Sequence, residues 1–224
     1  MSNKILILVT NHAFMGTTDE ANGTYAPELT HALSVFLEKG LDYDIASIKG
    51  GQAPLYGTDI EGDEINREIL ANETFQSKIA NTLVAETLDL SQYNAVFYPG
   101  GFGLLTDLAE NATVAQLTAQ LYENGAVVGA VCHGPAGLLP VTLSNGEPLL
   151  ADISVAGFTR EEEVAFGSID KIPFLLEEAL VLKANQYVKV KPWAPLVIAE
   201  DRIITGQNPQ SAHGVGEAMV ARLG

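Results

Sequence analysis

The sequence predicts an α/β fold: a three-layer sandwich with a mostly parallel central sheet and helices on both faces, in the flavodoxin-like manner. Three observations carry this. Short apolar runs such as Ile5-Leu6-Ile7-Leu8-Val9 have the composition of strands buried on both faces. Helix-period segments alternate with them. Two glycine-containing turns, Pro99-Gly100-Gly101-Phe102-Gly103 and Cys132-His133-Gly134, each follow the end of such a run. At 224 residues and 47% hydrophobic, the chain can bury a sizeable core. No linker, repeat or low-complexity tract divides it, so residues 1–224 are read as a single domain.

The elements follow in order. The first strand ends at Thr10-Asn11, and a polar loop over 16–23 leads to a helix opened by Pro27 and Glu28. In that helix Leu29, Leu33, Phe36 and Leu37 share a face, and Gly40 is the stop. A strand over 43–48 completes a βαβ unit, whose crossover is right-handed. After a loop over 50–57, helices are expected over 64–70 and 75–88, then a strand over 95–98. A helix over 114–123, with Leu117 and Leu121 inward, passes through Asn124-Gly125 into the apolar strand before Cys132. Beyond it the pattern predicts a helix from Gly134, a short strand over 153–155, and helices over 161–166 and 173–184. A hairpin pairs 196–199 with 203–205 across Glu200-Asp201-Arg202, and a last helix covers 211–223.

Charge narrows the function. With 28 acidic and 12 basic residues the formal net charge is −16. The lysines are scattered, which argues against nucleic acid and anionic membranes as partners, since both need clustered cations. No run approaches the roughly 20 apolar residues of a membrane span, and Met1-Ser2-Asn3-Lys4 has no signal-peptide pattern. One cysteine excludes an intrachain disulfide, so a reducing cytoplasm is the expected compartment. No HxH, HExxH or CxxC spacing supports a metal site, and no cofactor motif is present: the glycine turn at 99–103 lacks both the P-loop ending and dinucleotide spacing.

The one cysteine, Cys132, sits where a buried strand turns into a helix, with small residues two before and two after it. That spacing fits a nucleophile elbow, and a helix N-terminus beneath the sulfur favours its thiolate. The alternative is an inert core thiol. Loops at the carboxyl ends of parallel strands converge over one crevice, so backbone N–H groups of the 99–103 turn would point at the space above Cys132 as an oxyanion hole. His133, next in the chain, is the candidate base or ion-pair partner. His12 and His31 read as ordinary loop and helix residues.

The chain resembles the ThiJ/PfpI superfamily, whose sheet is similar to that of class I glutamine amidotransferases. The matching blocks are residues 4–10, Gly23-Thr24-Tyr25-Ala26-Pro27-Glu28-Leu29, Pro99-Gly100-Gly101, and Ala130-Val131-Cys132-His133-Gly134-Pro135-Ala136. Further matches are Gly157-Phe158-Thr159-Arg160-Glu161-Glu162-Glu163 and residues 204–212. They point to the branch of heat-inducible chaperones and glutathione-independent glyoxalases. That resemblance implies Cys132 as nucleophile, His133 as its partner, and Glu28 reaching the sulfur to share a proton. It also implies an acidic third member, Glu163 by register, with Glu161 and Glu162 as neighbouring carboxylates. In the expected mechanism the backbone N–H groups of Gly101 and His133 hold the alkoxide formed at Cys132. Phe102 stands where the family often has His, placing an aromatic wall at the pocket. Homodimers are common in the family.

The expected activity is a cofactor-independent, glyoxalase III-type lyase. It takes a small aldehyde, methylglyoxal or a related 2-oxoaldehyde, to the 2-hydroxy acid (D-lactate from methylglyoxal) through a Cys132 hemithioacetal. The alternatives are a deglycase acting on oxoaldehyde adducts of proteins or nucleotides, and a stress-response holdase or oxidation sensor without turnover.

Overall fold

A computed structural model describes residues 4–223. Residues 1–3, where the leader-free start was read, lie outside the described residues, as does Gly224. The main sheet has seven strands in the spatial order Val197–Glu200, Ile203–Gly206, Val127–Val131, Ala95–Tyr98, Lys4–Leu8, Asp42–Ser47 and Leu83–Val84. Only the first pair is antiparallel; the other neighbours are parallel.

Alternation along the strands builds two cores. Ile5 and Ile7 face Leu29, Leu33 and Phe36 of the helix Ala26–Glu38 and Met219 of the helix Ala212–Leu223. Leu6 and Leu8 face the opposite layer, which includes Leu104, Leu117 and Leu121. Period-two alternation of wholly apolar strands thus feeds both faces, and helices must cover both. Gly129, mid-sheet, lets the last helix come close: a Cβ there would lie 2.1 Å from the Met219 sulfur.

Several expectations need correction. Leu37 is 40% exposed; at 100° per residue it lies about 80° around the helix from Leu29, at the edge of the stripe. The helix expected over 75–88 ends early, as Glu73–Ala80, and Leu83–Val84 is instead an edge strand paired with Ala46 and Ser47. The helix expected from Gly134 is a five-residue 3-10 segment, Gly134–Leu138. Helices over Arg160–Phe166 and Leu176–Lys183 are present, the latter shorter than expected. Two small parallel pairs stand outside the main sheet: Thr24–Tyr25 with Leu55–Tyr56, and Ser154–Val155 with Gln186–Tyr187. Among the described residues no helix is long and apolar enough to cross a membrane.

Sheet order places the site. From Lys4–Leu8 the chain first moves to Asp42–Ser47 on one side, and later to Ala95–Tyr98 and Val127–Val131 on the other. The crevice at such a reversal opens above the carboxyl ends of these strands, where the 99–103 turn and Cys132 emerge side by side.

Candidate active site

Cys132 leaves the strand Val127–Val131 with φ +59°, a left-handed conformation that is costly for a residue carrying a Cβ. Two backbone bonds hold it there. Its N–H donates to the Gly206 carbonyl at 2.9 Å, and its own carbonyl accepts from Phe158 N–H at 3.0 Å. Small neighbours are obligatory: a Cβ on Gly134 would meet the Tyr98 carbonyl oxygen at 2.3 Å, and one on Gly100 would lie 2.7 Å from the Cys132 Cβ.

Glu28 occupies the other side of that Gly100 space, where a Cβ would come within 2.1 Å of its Oε2. It sits in the first turn of the helix Ala26–Glu38. The preceding strand is pinned across the sheet ends by Tyr25 N–H donating to the Gly100 carbonyl at 3.0 Å and Thr24 N–H donating to Pro54 at 2.9 Å. Glu28 is wholly buried, and neither carboxyl oxygen has a hydrogen-bond partner among the described residues. Burial pushes its pKa up to about 8, although the adjacent Cys132 thiol and Gly100 N–H favour the charged form. The Cys132 thiol is pushed well above its usual range, first by burial and then by the Glu28 charge. The thiolate-favouring helix end expected beneath the sulfur is only the short 3-10 turn, and burial outweighs it.

His133 reaches the same sulfur. Its Nδ1 is 3.4 Å from Cys132 Sγ, and its Nε2 is 2.8 Å from Glu163 Oε1. The second oxygen of Glu163 accepts from the Ser168 hydroxyl. The imidazole is also clamped between rings, with centroids 4.5 Å from Phe102 and 4.7 Å from Phe158.

The three consecutive glutamates therefore do three different things. Glu161 is a surface residue paired with Lys189 at 2.9 Å. Glu162 forms a capping box with Thr159, and its Oε1 accepts from Trp193 N–H, Gln207 Nε2 and Asn208 Nδ2 at 2.9, 3.1 and 2.8 Å. Glu163 alone reaches His133.

Cys132, Glu28 and His133 form the floor of a cavity of about 330 Å³ whose walls include Tyr25, Tyr56, Phe102 and Phe158. Ile60, Phe166 and Trp193 stand around its mouth. Burial and the nearby Glu28 charge push the Tyr25 phenol up to about 12 and Tyr56 well above its usual value, so both stay protonated donors. The amides of Gly101 and His133 donate to no group among the described residues, whereas Phe102 N–H donates to Asn22 Oδ1 at 3.2 Å. A larger polar depression of about 480 Å³, between 85–91 and the helix Ala112–Glu123, contains neither Cys132 nor any histidine. No group of three or more His, Cys, Asp or Glu side chains among the described residues is arranged to hold a metal ion.

Sequence reasoning named Cys132, His133, Glu28, Glu163, Gly101 and Phe102; the fold places Cys132, His133, Glu28 and Phe102 in the lining of one cavity, with Glu163 behind His133 and Gly101 next to Phe102 in the turn. That reasoning gave no role to Tyr56, Ile60, Phe166 or Trp193, which arrive from the strand Leu55–Tyr56 and the loop after it, the helix Arg160–Phe166 and a turn at Trp193. One local signal was available for Trp193: it lies between Pro192 and Pro195, which suggests a constrained loop, and the structure gives it a φ of +64°.

Fold and elbow together define a class: α/β proteins that present a cysteine from the end of a parallel strand, backed by imidazole and carboxylate. Within it, the chain belongs to the DJ-1/PfpI family, which it matches over residues 20–222. It is 29% identical to the glutathione-independent glyoxalase HSP31 of Saccharomyces cerevisiae, over 98% of each chain. Among solved structures it is similar to the Rapid Encystment Protein 24 KDa of Francisella tularensis, with a TM-score of 0.94, 32% identity and full coverage of both chains. It is also similar to glyoxalase III of Candida albicans, with a TM-score of 0.88, 28% identity and coverage of 98% and 96%.

Proposed function

We propose that this chain is a glutathione-independent glyoxalase, converting methylglyoxal or a related 2-oxoaldehyde to the 2-hydroxy acid. The observation that carries the reading is the buried cysteine between an unpartnered carboxyl, Glu28, and an imidazole held by Glu163. The names of the yeast and Candida relatives support it.

Cys132 Sγ adds to the aldehyde carbon as Glu28 takes the thiol proton, and Glu28 then hands that proton to the former carbonyl oxygen, which becomes the hemithioacetal hydroxyl. Amides of Gly101 and His133 face the oxygen that bears charge during this addition. A proton then leaves the aldehyde carbon for a carboxylate or imidazole, giving an enediolate, and one is returned to the neighbouring carbon. Glu28 and His133 are the acid–base pair, each worth ~10²–10⁴ in rate. The product is a 2-hydroxy thioester, which water hydrolyses to the acid and free thiol. One carbon is oxidised and its neighbour reduced, so the electrons balance within the substrate. The protein's own sulfur does what a soluble thiol would otherwise do.

All 224 residues are read as one catalytic domain, acting in the cytoplasm as a homodimer; light scattering on the purified protein measures that state. The deciding experiment is methylglyoxal consumption and D-lactate formation by purified protein without glutathione. Consumption at the buffer rate would reject the reading. Release-corrected rates on preformed adducts that match the free-aldehyde rate would reject deglycation.

A further inference from the structure

The cavity is much larger than methylglyoxal requires. Its volume of about 330 Å³ falls within the range of about 300–1,000 Å³ typical of sites for drug-sized ligands, while methylglyoxal carries only a methyl group beyond the reacting carbons. The reactive groups Cys132, Glu28 and His133 lie at the floor, and the other polar side chains of the lining, the Tyr25 and Tyr56 phenols and Gln210, are uncharged. No lysine or arginine lines the cavity, so nothing there would offset a phosphate or carboxylate on the substrate. Three apolar side chains at the mouth remain open to water: Ile60 is 40% exposed, Phe166 52% and Trp193 38%. They come from a loop, the end of the helix Arg160–Phe166 and a proline-flanked turn, yet all line the same cavity. Trp193 is held there by its N–H bond to buried Glu162, and Phe166 stacks on Phe102 with centroids 5.4 Å apart. A carbon chain extending from a sulfur-bound aldehyde toward the mouth would cover this surface.

Resting on the glyoxalase reading, we infer that the preferred substrates are uncharged 2-oxoaldehydes with an extended apolar substituent, and that Ile60 and Phe166 set this preference. The reaction is unchanged; only the group on the ketone carbon is longer.

The test compares kcat/KM for 2-oxohexanal with that for methylglyoxal. Each buried methylene contributes about fourfold, so the ratio in the unaltered protein is expected on the order of tenfold or more. In Ile60→Ala and Phe166→Ala the ratio is expected to fall toward one, and Phe166→Leu to restore part of it. Taking ratios within each variant cancels changes common to both substrates, and melting curves establish that each variant is folded. Methylglyoxal turnover with a starting ratio at or below one overturns the inference alone, as does a ratio that neither alanine variant moves. Consumption of neither aldehyde overturns the glyoxalase reading and this inference with it.

Discussion

Two buried carboxyls flank Cys132, and they are built on opposite principles. Glu163 has both oxygens engaged, one by His133 Nε2 and the other by the Ser168 hydroxyl. Glu28, equally buried, makes no well-formed hydrogen bond among the described residues, although the Cys132 thiol and Gly100 N–H lie close, and its pKa is pushed up to about 8. A satisfied buried carboxylate fixes a ring in place. An unsatisfied one is costly to charge and exchanges its proton near neutral pH. The contrast separates orientation from proton transfer, and substitutions on either side should break different properties.

Cys132→Ala gives the largest expected effect, a loss of at least ~10⁴ in kcat, because the covalent step has no substitute; lactate formation measures it. Next comes Glu28→Gln, expected to lower kcat by ~10²–10⁴. In the unaltered protein, kcat/KM should rise with pH through about 8, as Glu28 becomes the carboxylate that accepts the thiol proton, and then level off; in the variant this limb should vanish.

The same substitution should stabilise the protein, and the sign follows from linkage. The folded state binds the Glu28 proton more tightly than the unfolded one, so the neutral carboxyl's contribution is intact below about 4.5 and is lost as pH rises through about 8. At about 1.4 kcal/mol per pKa unit, Glu28→Gln should gain several kcal/mol by pH 8–9 and little at pH 4. Denaturant melts at both pH values check this, and equal stability at pH 9 would refute the stored cost.

On the satisfied side the direction reverses. Glu163→Gln should lower kcat by ~10², the lower end of the acid–base range, and destabilise by about 1–3 kcal/mol, because the amide cannot accept from both His133 and Ser168. The smallest effect belongs to Glu161→Gln, where loss of an exposed pair with Lys189 should change stability by less than about 1 kcal/mol and leave kcat alone. A large loss there would mean that the functions of the three glutamates are not separate.

Legibility in the sequence followed the range of the interactions involved. The strands Lys4–Leu8, Ala95–Tyr98 and Val127–Val131 announce themselves as apolar runs, since strands buried on both faces need no polar alternation. The elbow at Cys132 was legible because sterics demand small residues at fixed spacing. Leu83–Val84 was not: two apolar residues after a helical pattern continue that pattern, and only pairing with Ala46 and Ser47 makes them a strand. Helical pattern alone left Glu161, Glu162 and Glu163 undecided, and only register with the family pointed to Glu163, because successive helical residues differ by about 100° in direction and the seated helix fixes which one faces inward. The walls of the cavity depend on loops far apart in the chain, so no window of sequence contains them.

Glu162 has a further consequence for anyone altering this pocket. One carboxylate caps the helix that carries Glu163, holds the backbone of Trp193, and anchors Gln207 and Asn208 beside the last helix. Mouth and floor are thus bolted to a single post. Loops transplanted from a relative to reshape the entrance would have to bring their own matching donors, or the ring that faces the sulfur would shift along with the rim.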